Sequence, residues 1–322
     1  MDLGRVHGIS TTASIALIGA LSSTGNLDLG AAFGIILISC FAHTAPAAYM
    51  ELNDIKLDSQ IPESSKKPLV CGAVTKRETK LFVLFGMIVS FSLAILFFPK
   101  VIAIIPLSLS ALWVMWYCNG VGKRMLFSYD YAFAIAYSFY ALFGAFAIGA
   151  PTIYTWIFIV IVAIQGGVFA QWENGLKDVD ADRRAGIKSI AAQLNISSTT
   201  KLKISHPYFI YGLVIKITFL LFCFIAYLQS LSVYYLVFLL ICGVPSQSYI
   251  MYRFLAKRGR LEQRKTVLLD VPISAILGFS VIAGKVGVLP ILLVLLFLIG
   301  GYLKGSLWQY GTEFKFARYR GA

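Results

Sequence analysis

Residues 171–190 read QWENGLKDVDADRRAGIKSI and begin where a long apolar run ends. This stretch concentrates acidic side chains in a chain that has only 15 of them: Glu173, Asp178, Asp180 and Asp182. Asn174, Asp178 and Asp182 are spaced four residues apart, so they share one face if the preceding helix continues through them. Carboxylates this close repel one another unless cations lie between them, and oxygen ligands of this kind favour Mg²⁺. The alternative interpretation is a solvated acidic end of a helix.

The composition around this stretch is that of a membrane protein. The chain is 58% hydrophobic and 13% charged, and its mean hydropathy is +0.78. Apolar runs of about 20 residues recur, each long enough to cross a bilayer, and they lack the alternation of β-barrel strands. We therefore predict an all-α polytopic membrane protein that forms a single domain over residues 1–322. The predicted spans are 8–23, 29–50, 80–98, 101–117, 129–149, 152–172, 207–228, 232–252, 267–284 and 287–303. There are nine if the last two form one span and a re-entrant piece.

The basic residues predict the orientation of these spans. With ten spans and both termini in the cytoplasm, the inner segments hold 25 of the chain's 28 Lys and Arg residues, as the positive-inside rule requires. The net charge of +13 is thus mainly a topology signal. It is spread over several short segments instead of one face, so it does not indicate nucleic-acid binding. Both acidic segments are predicted to face the cytoplasm.

A second acidic segment repeats the spacing of the first. Span 2 ends in MELNDIKLDSQ, where Asp54 and Asp58 are four residues apart, as Asp178 and Asp182 are 124 residues later. Both pairs close an even-numbered span, and basic residues follow each of them. Two acidic faces with cations behind them suit a diphosphate bridged by Mg²⁺.

At these residues the chain resembles the UbiA-type intramembrane prenyltransferase superfamily. That family has an NDxxDxxxD-like motif after its second span and a DxxxD motif after its sixth. The second motif is similar to NGLKDVDADRRAGIKS, which supplies Asn174, Asp178, Asp182, Gly186 and Lys188. The resemblance implies a helical bundle of nine or ten spans around a central cavity, capped by cytoplasmic motif loops at about 51–79 and 173–206.

The first motif departs from the family pattern. Asn53 and Asp54 fit, but Asp58 stands one position later than the pattern expects from Asn53. If Asp54 and Asp58 are the DxxxD pair, Met50 stands where the family has Asn. The family's Arg-Pro-Leu is replaced here by a Lys-Pro-Leu that begins at Lys67.

The resemblance also implies a reaction. We expect Mg²⁺-dependent transfer of a polyprenyl group from an allylic prenyl diphosphate to a lipophilic or membrane-surface acceptor, with release of diphosphate. One alternative is a UbiA-type terpene cyclase, which needs no external acceptor. Another is a transporter, although broken helices at the midplane would mark that class and the acidic motifs here lie at the rim.

These interpretations assign roles to individual residues. The expected catalytic residues and Mg²⁺ ligands are Asp54, Asp58, Asp178 and Asp182. The expected substrate-binding residues are Asn53, Lys67, Tyr117, Lys123, Arg124, Asn174, Lys177, Arg183 and Lys188. Asp270 is a further candidate because it lies in a later span, where it either acts on an acceptor or sits near the cytoplasmic end. Lys216 also lies within a span, and it either has such a role or extends its amine to the membrane surface.

Overall fold

The computed structural model describes residues 3, 5–59, 67–119, 125, 128–194, 204–256 and 260–319, and in these ranges the protein is helical with no strand. After a 3₁₀ turn at Val6–Gly8, the helices are α1 (Ile9–Thr24), α2 (Leu29–Asp58), α3 (Lys76–Phe97), α4 (Val101–Cys118), α5 (Ser128–Ile148), α6 (Ile153–Val162), α7 (Ala170–Ala185), α8 (Ile190–Gln193), α9 (His206–Ser230), α10 (Val233–Phe238), α11 (Val244–Leu255), α12 (Arg260–Ser280), α13 (Ala283–Val286) and α14 (Val288–Tyr319). Two π-helical turns, Ala163–Phe169 and Leu239–Gly243, join α6 to α7 and α10 to α11.

Each of the ten predicted spans overlaps one or more of these helices. Among the described residues, six helical stretches are long and apolar enough to cross a membrane: Leu29–Lys56, Lys76–Phe97, Val101–Cys118, Tyr131–Ile148, His206–Ser230 and Val233–Leu255. The other predicted spans fall on the shorter apolar stretches Ile9–Thr24, Ile153–Phe169, Leu269–Ser280 and Val288–Gly301. The choice between nine and ten crossings remains a prediction.

The segments predicted as cytoplasmic motif loops contain helix as well as loop. α2 continues to Asp58 and α3 begins at Lys76, so the first acidic residues lie on helical turns. α7 likewise carries the second acidic stretch as far as Ala185. Helical geometry therefore fixes the spacing of the carboxylates in both segments.

Helix α1 lies at the centre of the bundle. Thirteen of its 16 residues are buried, and it packs against α2, α5, α6 and α14. Its closest neighbour is α5, because a Cβ atom on Gly19 would meet the backbone of Ala141, and one on Gly144 would meet the backbone of Ala16. Small residues allow two helices to approach this closely where lipid supplies no hydrophobic force between them.

Large apolar side chains cover the outside of the bundle. On α3, Leu81, Phe85, Ile88 and Leu96 are exposed, and only 22% of the residues in its apolar window are buried. A soluble protein rarely exposes so continuous an apolar surface. This surface suits contact with lipid, which agrees with the composition of the chain.

The α1–α5 contact predicts a stability effect. We expect Gly144→Ala to lower the thermal unfolding midpoint in detergent, because the added methyl group forces the two backbones apart at a cost of about 1–3 kcal/mol. Gly300→Ala is the matched control, since a Cβ atom at that position of α14 meets nothing within 4 Å. Equal midpoints for the two variants would contradict the proposed close approach.

Candidate active site

The first acidic segment occupies the last turns of α2. Glu51, Asp54 and Asp58 are three and four residues apart on this helix, so they lie along one face. Glu51 and Asp58 are buried, and Asp54 is half-buried. The predicted pair of carboxylates is therefore part of a row of three, and the first member, Glu51, was not predicted as a site residue.

Lys67 holds two members of this row together. Its Nζ atom lies 2.8 Å from Glu51 Oε2 and 2.8 Å from Asp58 Oδ2. Arg5 approaches Glu51 from the other side, with its Nη2 atom 2.6 Å from Glu51 Oε1. The two cations, Arg5 and Lys67, thus balance the charge of the two carboxylates that they contact. The sequence signal for Glu51 was its distance of seven residues from Asp58, two turns along the same helical face.

Burial and the neighbouring charges shift the pKa values of Asp58 and Lys67 in opposite directions. Burial raises the pKa of the Asp58 carboxyl above its ordinary value, although the ammonium group of Lys67 opposes the shift. For Lys67, burial works to lower the pKa, but the carboxylates of Glu51 and Asp58 outweigh it and raise the pKa. Lys67 therefore stays charged at neutral pH, as a cation held between two carboxylates.

The second acidic segment is shaped by the end of α7. Gly186 has a φ of 69°, and the amide of the next residue, Ile187, donates to the Asp182 carbonyl at 2.9 Å. This left-handed turn ends the helix at a position that favours glycine. The chain then returns to Ser189, whose Oγ donates to Asp182 Oδ2 at 2.8 Å. Asp182 is only 4% exposed, so this hydrogen bond fixes the direction of its carboxylate.

Ser189 was missed in the sequence, although a signal for it was present. Its Oγ also accepts from the Ala192 amide, which makes it the N-cap of α8. A serine shortly after a helix-ending glycine is typical of the start of a new helix. The same residue therefore begins α8 and orients Asp182.

A small apolar cluster connects the two acidic segments. It contains Tyr117 of α4, Phe133 of α5, Tyr49 and Met50 of α2, and Ile187, which follows α7. We call these five residues the junction cluster. Tyr49 and Met50 directly precede Glu51, and Ile187 follows Asp182 by five residues. The junction cluster therefore brings the ends of α2 and α7 to the same end of the bundle.

Some of the remaining predicted site residues are exposed in the structure, and the others lie outside its described part. Asn53 is exposed and donates to the Tyr49 carbonyl at 2.8 Å. Arg183 and Lys188 are exposed as well, and Arg183 Nε donates to the Ala192 carbonyl at 3.2 Å. Lys123 and Arg124 lie outside the described residues. Asn174, Lys177 and Asp178 lie on α7, but their side chains are outside the described part of the structure. Their roles remain predictions.

The two intramembrane candidates form a pair. Lys216 Nζ lies 2.7 Å from Asp270 Oδ1, and the two side chains are 2% and 0% exposed. Lys216 therefore does not extend its amine to the membrane surface, because a buried carboxylate is within reach. Asp270 is fully buried in this pair, and its position along the membrane normal remains a prediction.

We call the end of the bundle that holds the acidic ends of α2 and α7 the acidic end. Its residues suit a divalent cation. Among the described residues, no group of three or more His, Cys, Asp or Glu side chains is close enough to hold a metal ion. Glu51 and Asp58 nevertheless already bind one cation between them, the ammonium group of Lys67. Carboxylate oxygens are the ligands that Mg²⁺ prefers. The chemistry of the donor set therefore fits Mg²⁺.

Similar structures share this fold. A structure of a digeranylgeranylglyceryl phosphate synthase is 18% identical, with a TM-score of 0.67 over 89% of this chain and 97% of that chain. A UbiA homologue from Archaeoglobus fulgidus, bound to GPP and Mg²⁺, is 16% identical, with a TM-score of 0.64 over 88% of this chain and 100% of that chain. The apo structure of a UbiA homologue from Aeropyrum pernix K1 is 20% identical, with a TM-score of 0.59 over 92% of this chain and 98% of that chain.

Sequence comparisons complete this result. A search of curated proteins found no matching sequence. The family model of the UbiA prenyltransferase family, however, matches residues 10–269. This range runs from the second residue of α1 into α12 and includes both acidic segments. The chain therefore belongs to the UbiA prenyltransferase family.

Proposed function

We propose that this protein transfers a polyprenyl group from an allylic prenyl diphosphate to a lipophilic or membrane-surface acceptor and releases diphosphate. The observation that carries the proposal is that the junction cluster contacts residues beside both acidic helix ends, together with the ammonium group of Lys67 held by Glu51 and Asp58. The UbiA homologue solved with GPP and Mg²⁺ supports a prenyl diphosphate substrate. We further propose that the acidic end faces the cytoplasm.

The diphosphate would bind at the acidic end. Asp54 and Asp58 on α2, with Asp178 and Asp182 on α7, would hold Mg²⁺, which supplies positive charge against the leaving group when bound. Lys67 is already positioned beside the carboxylates of α2. Its ammonium group can donate hydrogen bonds to phosphate oxygens.

The prenyl chain requires an apolar surface next to this end. An open apolar groove of about 520 Å³ on the outer face of α4 and α5 is lined by Leu109, Leu112, Trp113, Trp116, Ile135 and Phe139. Trp116 also packs against Tyr117 of the junction cluster, so one end of the groove lies beside this cluster. Apolar walls exclude water from the carbon at which the C–O bond breaks, and aromatic faces favour positive charge developing there.

Metal dependence is the first consequence of this proposal. Turnover of a prenyl diphosphate with a suitable acceptor should stop when EDTA removes divalent ions and return when Mg²⁺ is added. The physical reason is that the diphosphate and the carboxylates repel one another without a cation between them. Diphosphate release can be measured directly, and full turnover in excess EDTA would contradict the proposal.

Product analysis tests the type of reaction. Incubation with prenyl diphosphate and Mg²⁺ alone should yield little product, because transfer needs an acceptor. A panel of lipophilic acceptors added one at a time should restore diphosphate release and form a prenylated product. Efficient formation of a hydrocarbon or terpene alcohol without any acceptor would instead indicate a cyclase.

Asp182→Asn tests the second acidic segment. We expect the rate to fall about 100-fold, or about 2.7 kcal/mol, which is typical when one preorganised electrostatic group is lost. Asp28→Asn is the matched control, because Asp28 caps the opposite end of α2 by accepting from Ala31 and asparagine caps equally well. Near-normal rates for a folded Asp182→Asn protein would show that the site lies elsewhere.

Asp58→Asn tests the first acidic segment. The change keeps the shape of the side chain and removes its charge, so we expect the Mg²⁺ concentration for half-maximal activity to rise at least about tenfold, the lower end for a residue that supports a metal site. Glu51→Gln should also raise the Mg²⁺ concentration for half-maximal activity. Glu78→Gln is the control, since Glu78 caps α3. An unchanged Mg²⁺ requirement in Asp58→Asn would exclude Asp58 as a ligand.

A further inference from the structure

A second polar region lies inside the bundle, away from the junction cluster. Its centre is the buried pair of Lys216 on α9 and Asp270 on α12. Gln165 joins both partners, because its Oε1 accepts from Lys216 at 3.0 Å and its Nε2 donates to Asp270 Oδ2 at 2.7 Å. Ser274 donates to Asp270 Oδ1 at 2.9 Å, and Gln247 donates to Ser274 at 3.0 Å. We call these five side chains the buried polar network.

Simple stabilisation is a weak explanation for such a network. A buried ion pair can often be replaced by apolar residues without loss of stability, because removing two charges from water is costly. Two buried oxygens at this region, Gln247 Oε1 and Glu173 Oε1, also have no hydrogen-bond partner within the described structure. The network thus carries an energetic cost, and a role beyond stability would account for its presence.

The position of Gln165 indicates that role. Gln165 lies in the π-helical turn Ala163–Phe169, and its carbonyl accepts from the amide of Ala170, five residues later. The aromatic ring of Phe169, in the same turn, has its centroid 3.7 Å from Lys216 Nζ. Lys216 therefore contacts the π turn at two points, an amide side chain and a ring. On the opposite side, a Cβ atom on Gly167 would meet the backbone of Ala134, so α5 packs directly against the turn.

The π turn between α6 and α7 sets the rotation of α7 about the helix axis relative to α6. It accommodates one residue more than an α-helical turn, and one residue corresponds to a rotation of about 100° around the helix axis. The acidic helix α7 begins directly after it. If the turn reverted to α-helical geometry, Asp178 and Asp182 would be rotated by this amount relative to α6.

Aromatic and hydrogen-bond contacts link the π turn to the start of α7 and to α9. Phe169 stacks on Trp172 at 5.0 Å between ring centroids, and Trp172 stacks on Tyr208 of α9 at 5.2 Å. Trp172 Nε1 donates to the Tyr208 carbonyl at 3.0 Å, and Tyr208 Oη donates to the Trp172 carbonyl at 2.7 Å. These reciprocal contacts fix α7 against α9 immediately after the π turn.

We propose that Gln165, held by Lys216 and Asp270, is a positioning residue that fixes the π turn and thereby the direction in which α7 presents its metal-binding carboxylates. This inference rests on the proposed function, because it assumes that Asp178 and Asp182 bind a divalent ion. Gln165 itself touches neither the ion nor the substrate in this mechanism. Its effect is expected on metal affinity.

The test compares two glutamines of the same network. Gln165→Met removes the hydrogen bonds that reach the π turn and leaves the Lys216–Asp270 pair intact. Gln247→Met is the matched control, because Gln247 lies on α11 and donates to Ser274 instead of the turn. Mn²⁺ affinity is measured from the free-ion electron paramagnetic resonance signal on purified protein without prenyl diphosphate, and the thermal midpoint is recorded in parallel.

We expect Gln165→Met to weaken Mn²⁺ binding about 10–100-fold, the usual effect of losing a residue that orients metal ligands. Gln247→Met should bind Mn²⁺ as the native protein does, whatever its thermal midpoint. Unchanged affinity in Gln165→Met, or an equal loss in both variants, would overturn the positioning role. If Gln165→Met does not fold, Phe169→Leu removes the other contact to the turn and carries the same expectations.

The same measurement separates this inference from the proposed function. If the native protein binds Mn²⁺ and the Asp182→Asn variant does not, the metal site of the proposed function is supported. That conclusion holds whether or not Gln165→Met changes the affinity. Native protein that does not bind Mn²⁺ would overturn the proposed function and the positioning role together.

Discussion

A charge inside an apolar bundle has to be neutralised by a partner, and both polar regions of this protein follow from that constraint. At the acidic end, Lys67 is shared by Glu51 and Asp58. Deeper in the bundle, Lys216 is paired with Asp270. The first region ties the N-terminal segment and the chain after α2 to the end of that helix. The second ties α9 and α12 to the π turn before α7. Cations from other parts of the chain therefore hold the acidic end of α2 and the π turn that leads into α7.

The sequence predicted the helices well and the pairing of side chains poorly, for a physical reason. Apolar runs of membrane length mark helices directly, since the bilayer core excludes other open structures. The four-residue spacings marked the acidic faces, because α2 and α7 remain helical through them. The partner of Asp270 is 54 residues away, and the pairing depends on how two helices rotate against each other. A uniformly apolar helix carries little information about its rotation, and the π turn left no recognisable pattern either.

The acidic end combines two kinds of interaction that are usually discussed apart. Electrostatic contacts orient individual carboxylates, as Ser189 does for Asp182. Apolar contacts in the junction cluster bring the two acidic helices to one place. Because the first set acts over a few ångströms and the second across the width of the bundle, neither alone would assemble a site for a diphosphate. The fold shared with structures of only 16–20% identity is consistent with packing that tolerates extensive substitution.

The central position of α1 has a consequence for how the protein is made. α1 leaves the ribosome well before α14, yet α14 is one of the helices that cover it. Its buried surface therefore stays incompletely covered until α14 has been made, and the contact between these two helices has a very large sequence separation. Contacts of this kind form late and slowly. A nascent chain interrupted before α14 would leave part of α1 open to lipid or to the insertion machinery, so α1 can be fully buried only after α14 has been made.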